Sequence, residues 1–295
     1  MRESRLKTIR PTIEAWLENR PSASYSEAEL RGILALKRTE WRIPSYVGTG
    51  HFIDFLLENT KLEPVKIVAP GTRTISDPVR YSWGSADPFL LGLSLRKRSY
   101  LTYSTALLLH GLTDQIPQTI FVTSEQRHKG EPKLISQTGI AKAFSKKQRE
   151  SNLAYLALGY RYVIIEGSYI DESELCSLYS PMGKSTVQAS GLERTLIDIC
   201  VRPSYAGGIF QILEAYKRSR TVVNLSKLLS ILRAHSYSYP YQQAIGFYLE
   251  KAGFSRGEVE PFHRMISQYD FYLGYALIET TYVPRWKLYV PRGFE

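Results

Sequence analysis

Histidine, cysteine, serine and carboxylate groups carry most protein chemistry, and here their spacing does not assemble any familiar centre. The five histidines show no HExxH spacing, and the two cysteines, Cys176 and Cys200, form no CxxC pair. Neither a metal site nor a disulfide framework is therefore expected. No Walker A loop or GxGxxG segment occurs, so no nucleotide cofactor is expected either. Ser104, His110 and Asp114 have the residue types of a nucleophilic triad. A triad is defined by geometry, however, and residues six and four apart around Gly111 have no reason to meet. A capping serine and a packed or helix-end histidine are the simpler roles. A nuclease or transferase would need a carboxylate cluster that is not visible, so no catalytic activity is expected.

The side chains that point to a partner are cationic. The 295-residue chain has a formal charge of +10, and a basic field attracts phosphate backbones and acidic surfaces. Residues 1–95 hold 13 Lys/Arg against 11 Asp/Glu, whereas residues 96–150 hold 10 against 4. The excess lies at Arg96, Lys97, Arg98, Arg127, Lys129, Lys133, Lys142, Lys146, Lys147 and Arg149. As single residues they read as a solvated face; as a set they fit a nucleic acid or an acidic partner. Tyr237, Tyr239 and Tyr241 flank Pro240 and could stack bases, though core or interface packing is the commoner use.

Length and composition set the frame for these groups. A chain of this length accommodates roughly two domains of about 100–200 residues. No apolar run approaches the roughly 18 residues that span a bilayer. The first ten residues, MRESRLKTIR, are not followed by the apolar segment of a secretory signal. A reducing, cytoplasmic setting and no membrane partner are the expectation.

The first third reads as three helices and a hairpin. Pro11 fixes a helix start or a kink, with Ile13, Trp16 and Leu17 inward and Pro21 closing the helix. Ser26 and Glu29 form a capping box, with Tyr25 and Leu30 at the hydrophobic-staple positions. Residues 49–59 read as a third helix that buries Phe52, Phe55 and Leu56. Two period-2 runs, 65–67 and 79–83, follow across the proline-rich loop PGTRTISDP. That is the order of a winged helix-turn-helix, in which the third helix enters the major groove and the wing meets the backbone. Arg38, Arg42, Lys61, Lys66, Arg73 and Arg80 are the expected phosphate contacts. Ser45, Tyr46, Thr49 and His51 are the expected base-reading group. The third helix itself lacks Arg and Lys, the residues that most often contact bases. The same fold used as a protein-binding adaptor is the alternative.

The stretch 85–99 reads as the boundary, giving a winged-helix domain over 1–90 and a larger α/β domain over 91–295. Beyond it, residues 100–123 read as a buried apolar helix, a glycine stop at Gly111, a turn and a core strand. Residues 141–158 read as a helix with Leu153, Leu156 and Leu158 inside. Ser190 and Glu193 read as a second capping box, and Pro203 ends the helix that follows. Three more helices are expected at about 208–219, 225–235 with Asn224 as cap, and 241–252. Two aromatic strands, 269–272 and 286–290, close the chain.

Four segments of this second part carry a resemblance. They are YLTYSTALLLHGLTDQIPQTIFVT at 100–123, GYRYVIIEG at 159–167, ASGLERTLIDICVRPSYAGG at 189–208, and YDFYLGY with PRWKLYVP near the end. In this order they resemble the AbiEi family, the antitoxins of type IV toxin–antitoxin (abortive infection) systems. The resemblance implies a mixed α+β protein: a winged-helix DNA-binding domain followed by an α/β antitoxin domain. It further implies a repressor of its own promoter that counteracts a nucleotidyltransferase-like toxin without a stable toxin complex. The basic excess lies in the antitoxin-like part rather than in the winged helix, which departs from that pattern.

Overall fold

In the computed structural model, which describes residues 5–20, 24–70, 77–125, 135–167, 172–182, 185–235 and 237–295, the early helices start where their caps direct. Helix α1 (Arg5–Glu18) is followed by strand β1 (Ser24–Tyr25) and helix α2 (Glu27–Lys37). The Ser26 hydroxyl accepts from the Glu29 amide at 3.2 Å, and the Glu29 carboxylate accepts from the Ser26 amide at 2.7 Å. Both staple residues, Tyr25 and Leu30, are buried. Helix α3 (Thr49–Asn59) buries Phe52, Ile53, Phe55 and Leu56. Strands β2 (Leu62–Val65) and β3 (Arg80–Trp83) pair antiparallel with Leu62 opposite Trp83, and β1 adds to β3, so the sheet runs β1-β3-β2. This is the element order expected of a winged helix. One hydrophobic core, from Leu6 to Trp83, serves this whole head.

The hairpin is anchored at its loop end. Val68 and Leu156 exchange two backbone hydrogen bonds, at 2.9 and 2.7 Å, and Ile67 enters the next core. Helix α4 (Pro88–Ser94) starts under an Asp87 cap within the stretch read as a boundary. Its Phe89 and Leu91 bury against a six-stranded sheet. That sheet comprises β4 (Ser99–Leu101), β5 (Thr119–Glu125), β6 (Ala154–Ala157), β7 (Tyr160–Gly167), β8 (Leu175–Tyr179) and β9 (Thr186–Ser190), in the order β6-β7-β5-β4-β9-β8. Helices α5 (Tyr103–Leu109) and α6 (Gln137–Phe144) lie between its strands in sequence. The two-residue period of β5 separates the faces. Ile120 and Val122 join the α4 side, while Phe121 packs with Tyr103 and Tyr205 on the other. β5 and β7 are parallel, and burial on both faces is what parallel strands require.

Helices α7 (Leu192–Val201), α8 (Ile209–Ser219), α9 (Leu225–Ala234), α10 (Tyr241–Lys251) and α11 (Arg256–His263) build the third and largest core. A small sheet of β10 (Phe271–Tyr272), β11 (Thr280–Val283) and β12 (Leu288–Pro291) closes it, in the order β10-β12-β11. The architecture is α+β. Among the described residues no helix is long and apolar enough to cross a membrane.

Several elements depart from the sequence reading, each for a local reason. Helix α1 begins at Arg5, so Pro11 lies inside it rather than at its start. The proline removes one backbone donor, and the stripe Leu6, Ile9, Ile13 and Leu17 holds the helix regardless. Trp16 is only half-buried, edge-on to Trp41 with the Arg20 guanidinium 4.4 Å above its ring. The helix expected over 141–158 ends at Phe144, and 154–157 is instead a strand. Leu156 and Leu158 are 44 % and 43 % exposed, because their spacing fits a strand edge as well as a helix face. Leu158 and Gly159 both take left-handed backbone, φ 52° and 77°, and make the tight turn into β7. The capping box at Ser190 does not form. Ser190 is still in β9 and its hydroxyl meets Thr195 Oγ1 at 2.8 Å, while Glu193 accepts from the Asn224 amide at 3.0 Å. Helix α11 was not expected, although Ser255 and Glu258 make a complete capping box before it. Asn224 caps α9 as read, accepting from the Lys227 amide at 3.0 Å.

Candidate nucleic-acid interface

The turn between α2 and α3 is built around Arg38. Its Nη1 donates to the Pro44 carbonyl at 2.6 Å and its Nη2 to the Val47 carbonyl at 2.7 Å. From the other side, Arg5 donates to the Trp41 carbonyl at 3.1 Å. Arg38 is therefore committed to shaping the turn. The turn in turn presents Arg42, Ser45 and Tyr46 to solvent, with Tyr46 75 % exposed. His51 is exposed and Thr49 half-buried at the start of α3; Asp54 and Glu58 continue the helix's exposed positions. Of the expected base-reading group, Ser45, Tyr46 and His51 thus reach solvent next to Arg42.

The cations around the hairpin divide into free and engaged. Lys66 is exposed. Lys61 is exposed too, but pairs with Glu18 at 2.6 Å. Arg80 is drawn inward: its Nε and Nη2 donate to the Ser94 carbonyl at 2.9 and 2.6 Å, tying β3 to α4. Its burial lowers the guanidinium pKa from the usual value. Arg73 lies outside the described residues.

The second basic group divides in the same way. Arg96 donates to the Tyr155 hydroxyl at 3.1 Å and lies over that ring, whereas Lys97 and Arg98 are exposed. Arg127, Lys129 and Lys133 lie outside the described residues. Lys146, Lys147 and Arg149 are exposed after α6, on the rim of a cleft that Arg202 and three tyrosines also line. Tyr237 and Tyr239 each pack edge-on against Tyr241, and Tyr239 and Tyr241 also contact Phe271.

The triad residues do not come together. His110 Nε2 is 2.8 Å from the Ser190 carbonyl, and burial lowers the pKa of its ring. Asp114 meets Arg218 at 2.6 Å on the surface. Among the described residues no group of His, Cys, Asp and Glu is arranged to hold a metal.

One chemically dense cluster was not anticipated. Arg194 on α7 donates to Asp198 at 2.7 Å and to Glu174 at 2.8 Å, and His235 Nε2 lies 2.7 Å from Glu174. Glu174 and Asp198 are each 6 % exposed. Burial raises the Glu174 carboxyl, but the His235 hydrogen bond and the Arg194 charge outweigh it and leave it below its ordinary value. The four side chains occupy one another's donors and acceptors and brace the start of β8, α7 and the end of α9. Only the Arg194–Asp198 spacing of four residues was visible beforehand, as a helix-surface pair; its burial was not.

No protein-family model and no curated protein matches the chain. Among solved structures, the fold is similar to that of the Rv2827c protein from Mycobacterium tuberculosis. The match covers 96 % of this chain and 91 % of that one, with a TM-score of 0.55 and 14 % sequence identity. At that identity the likeness concerns the α+β architecture, which runs almost end to end in both.

Proposed function

We propose that this chain is a DNA-binding transcriptional autorepressor and an antitoxin of the AbiEi type, without catalytic activity of its own. The observation that carries the reading is the head: helices α2 and α3 joined by an Arg38-braced turn, beside a β1-β3-β2 sheet. In such a head the exposed turn and the start of α3 face the major groove. Arg42 and Lys66 then contact phosphate, and Ser45, Tyr46, Thr49 and His51 read base edges. The second part counteracts a nucleotidyltransferase-like toxin from the same operon, without a stable complex. Its support is the AbiEi-like order of the four segments at 100–123, 159–167, 189–208 and the carboxy-terminal end.

A gel shift against the chain's own upstream region, repeated across salt, tests the DNA half. Arg42→Ala with Lys66→Ala is expected to weaken binding about equally on all sequences. It should also reduce the slope of log affinity on log salt by about 1 per lost phosphate contact. No preference for the upstream region over random DNA would sink this half. Co-expression with the neighbouring gene tests the other, and a neighbour that is harmless alone, or is not rescued, argues against antitoxin action. A protein-binding adaptor is the second reading, favoured by the outward Asp54 and Glu58 on a cation-free α3. It predicts that Arg42→Glu with Lys66→Glu leaves partner binding and its salt dependence unchanged.

A further inference from the structure

The cleft after α6 combines features that a basic surface alone does not have. Its lining includes Lys146, Lys147, Arg149 and Arg202 together with Tyr239, Tyr241 and Tyr275, and no carboxylate. Among the described residues none of the four cations makes an ion pair, in a chain whose surface cations often do. Arg202 is held in place by donating Nη1 to the Arg149 carbonyl at 3.1 Å, with its guanidinium 5.5 Å from the Tyr205 ring. A guanidinium has five donors, so this bond positions the group without exhausting it.

The aromatic wall is equally fixed. Tyr275 stacks on Phe144 with centroids 4.3 Å apart, Tyr239 meets Phe144 edge-on, and the Tyr241 and Tyr275 hydroxyls are hydrogen-bonded. Gln148 also lines the cleft. Its Oε1 accepts from the Ser204 amide at 3.2 Å, while its Nε2 is buried with no partner among the described residues. The cleft holds about 410 Å³, within the roughly 300–1,000 Å³ of small-molecule sites.

Cations without counter-charges beside a rigid aromatic wall suit a ligand with an anionic end and a flat ring. We infer that this cleft binds a nucleoside phosphate. The phosphate sits among Lys147, Arg149 and Arg202, and the base lies against Tyr239 and Tyr275. The same chemistry is offered by a free nucleotide and by the phosphorylated end of a single strand. The inference is independent of DNA binding by the head.

Isothermal titration calorimetry on the full chain tests it with AMP, ATP, inorganic phosphate and a tetraribonucleotide with or without a 5′-phosphate. Saturable one-to-one binding of AMP or ATP, at least tenfold tighter than inorganic phosphate, is expected. A phosphorylated tetranucleotide that binds tighter than both AMP and its hydroxyl-ended form identifies a strand end as the occupant. Equal binding of AMP and the phosphorylated strand identifies the free nucleotide. Lys147→Glu with Arg149→Glu, both exposed, should reduce affinity at least tenfold at an unchanged melting temperature, and Lys147→Arg should retain it. Arg42→Glu in the head should leave nucleotide binding intact, which separates this site from the DNA reading. No saturable binding, inorganic phosphate as tight as AMP, or indifference to the double charge reversal would overturn the inference.

Discussion

Arg194→Leu is expected to cost about 3–5 kcal/mol of stability, the usual penalty for removing one partner of a buried charge cluster. Arg194 is the cation that offsets two carboxylates at once, Glu174 and Asp198, both of them almost fully buried. Without it the two acids must be either ionised in a poorly solvated site or protonated, and each outcome costs free energy. Of the two carboxylates His235 reaches only Glu174, so it cannot take over both. Urea unfolding checks the size, and Glu174→Gln added to Arg194→Leu should recover part of the loss. If Arg194→Leu unfolds at the wild-type midpoint, the cluster is not a brace.

The same cluster makes an acid-side prediction. Glu174 is held below its ordinary carboxyl pKa of 4.5. A depressed carboxylate contributes stability above its unfolded pKa and loses it as pH falls through the folded value. Melting temperature should therefore fall on acidification below about pH 4.5, and Glu174→Gln should flatten that limb. Burial pushes Asp198 the opposite way, so its contribution opposes that of Glu174. A melting curve that is equally steep in Glu174→Gln and wild type would reject Glu174 as a source.

Gly246→Ala is the second large effect, and here the general helix preference gives the wrong sign. Alanine is about 1 kcal/mol better than glycine in a helix interior, and Gly246 lies in the middle of α10. An added Cβ, however, would sit 2.1 Å from Trp286 Cζ3 and 2.3 Å from Cη2. That ring is fully buried, and its Nε1 donates to the Glu250 carboxylate. It therefore has little room to slide. Overpacking of this kind costs about 1–3 kcal/mol and sometimes more, so the variant should be destabilised despite its better propensity. Gly32→Ala in α2 is the control. Nothing lies within 4 Å of its Cβ position, and it should be stabilised by up to about 1 kcal/mol. Paired thermal melts decide the matter, and a stabilised Gly246→Ala would show that the Trp286 ring yields.

The head and the sheet domain are linked by contacts that bear on the proposed function. Val68 with Leu156, and Arg80 with Ser94, join the hairpin to the sheet domain. A DNA-bound hairpin would therefore be held against that domain rather than extended away from it. Charge reversal at Arg80 would disturb this joint, which is why Arg42 and Lys66 are the sites for testing DNA contacts.

Signals that act within one turn of the chain were legible without coordinates. Ser26 with Glu29 and Asn224 before α9 follow from backbone groups that nearby side chains satisfy, Gly111 and Gly253 from the left-handed backbone that glycine allows, and α3 from the spacing of its apolar residues. Even α11 carried its capping box in plain view at Ser255 and Glu258. Local pattern failed where two structures share one spacing, as at Leu153, Leu156 and Leu158, which a helix or a strand edge accommodates alike. It also failed at Ser190, whose place in β9 was set by pairing with β8 rather than by its neighbours.

Residue types and their order were enough to set the helices and hairpin of the head, the basic excess over 96–150, and the absence of familiar catalytic spacings. Which cations are free was decided only in three dimensions. Arg38, Arg80 and Arg96 look like Arg42 and Lys147 in the chain, yet they are spent on Pro44, Ser94 and Tyr155. The Arg194 cluster likewise joins partners 20 and 41 residues apart. A charge's role depends on what faces it and on how much water remains, and both are properties of the packed fold rather than of the local sequence.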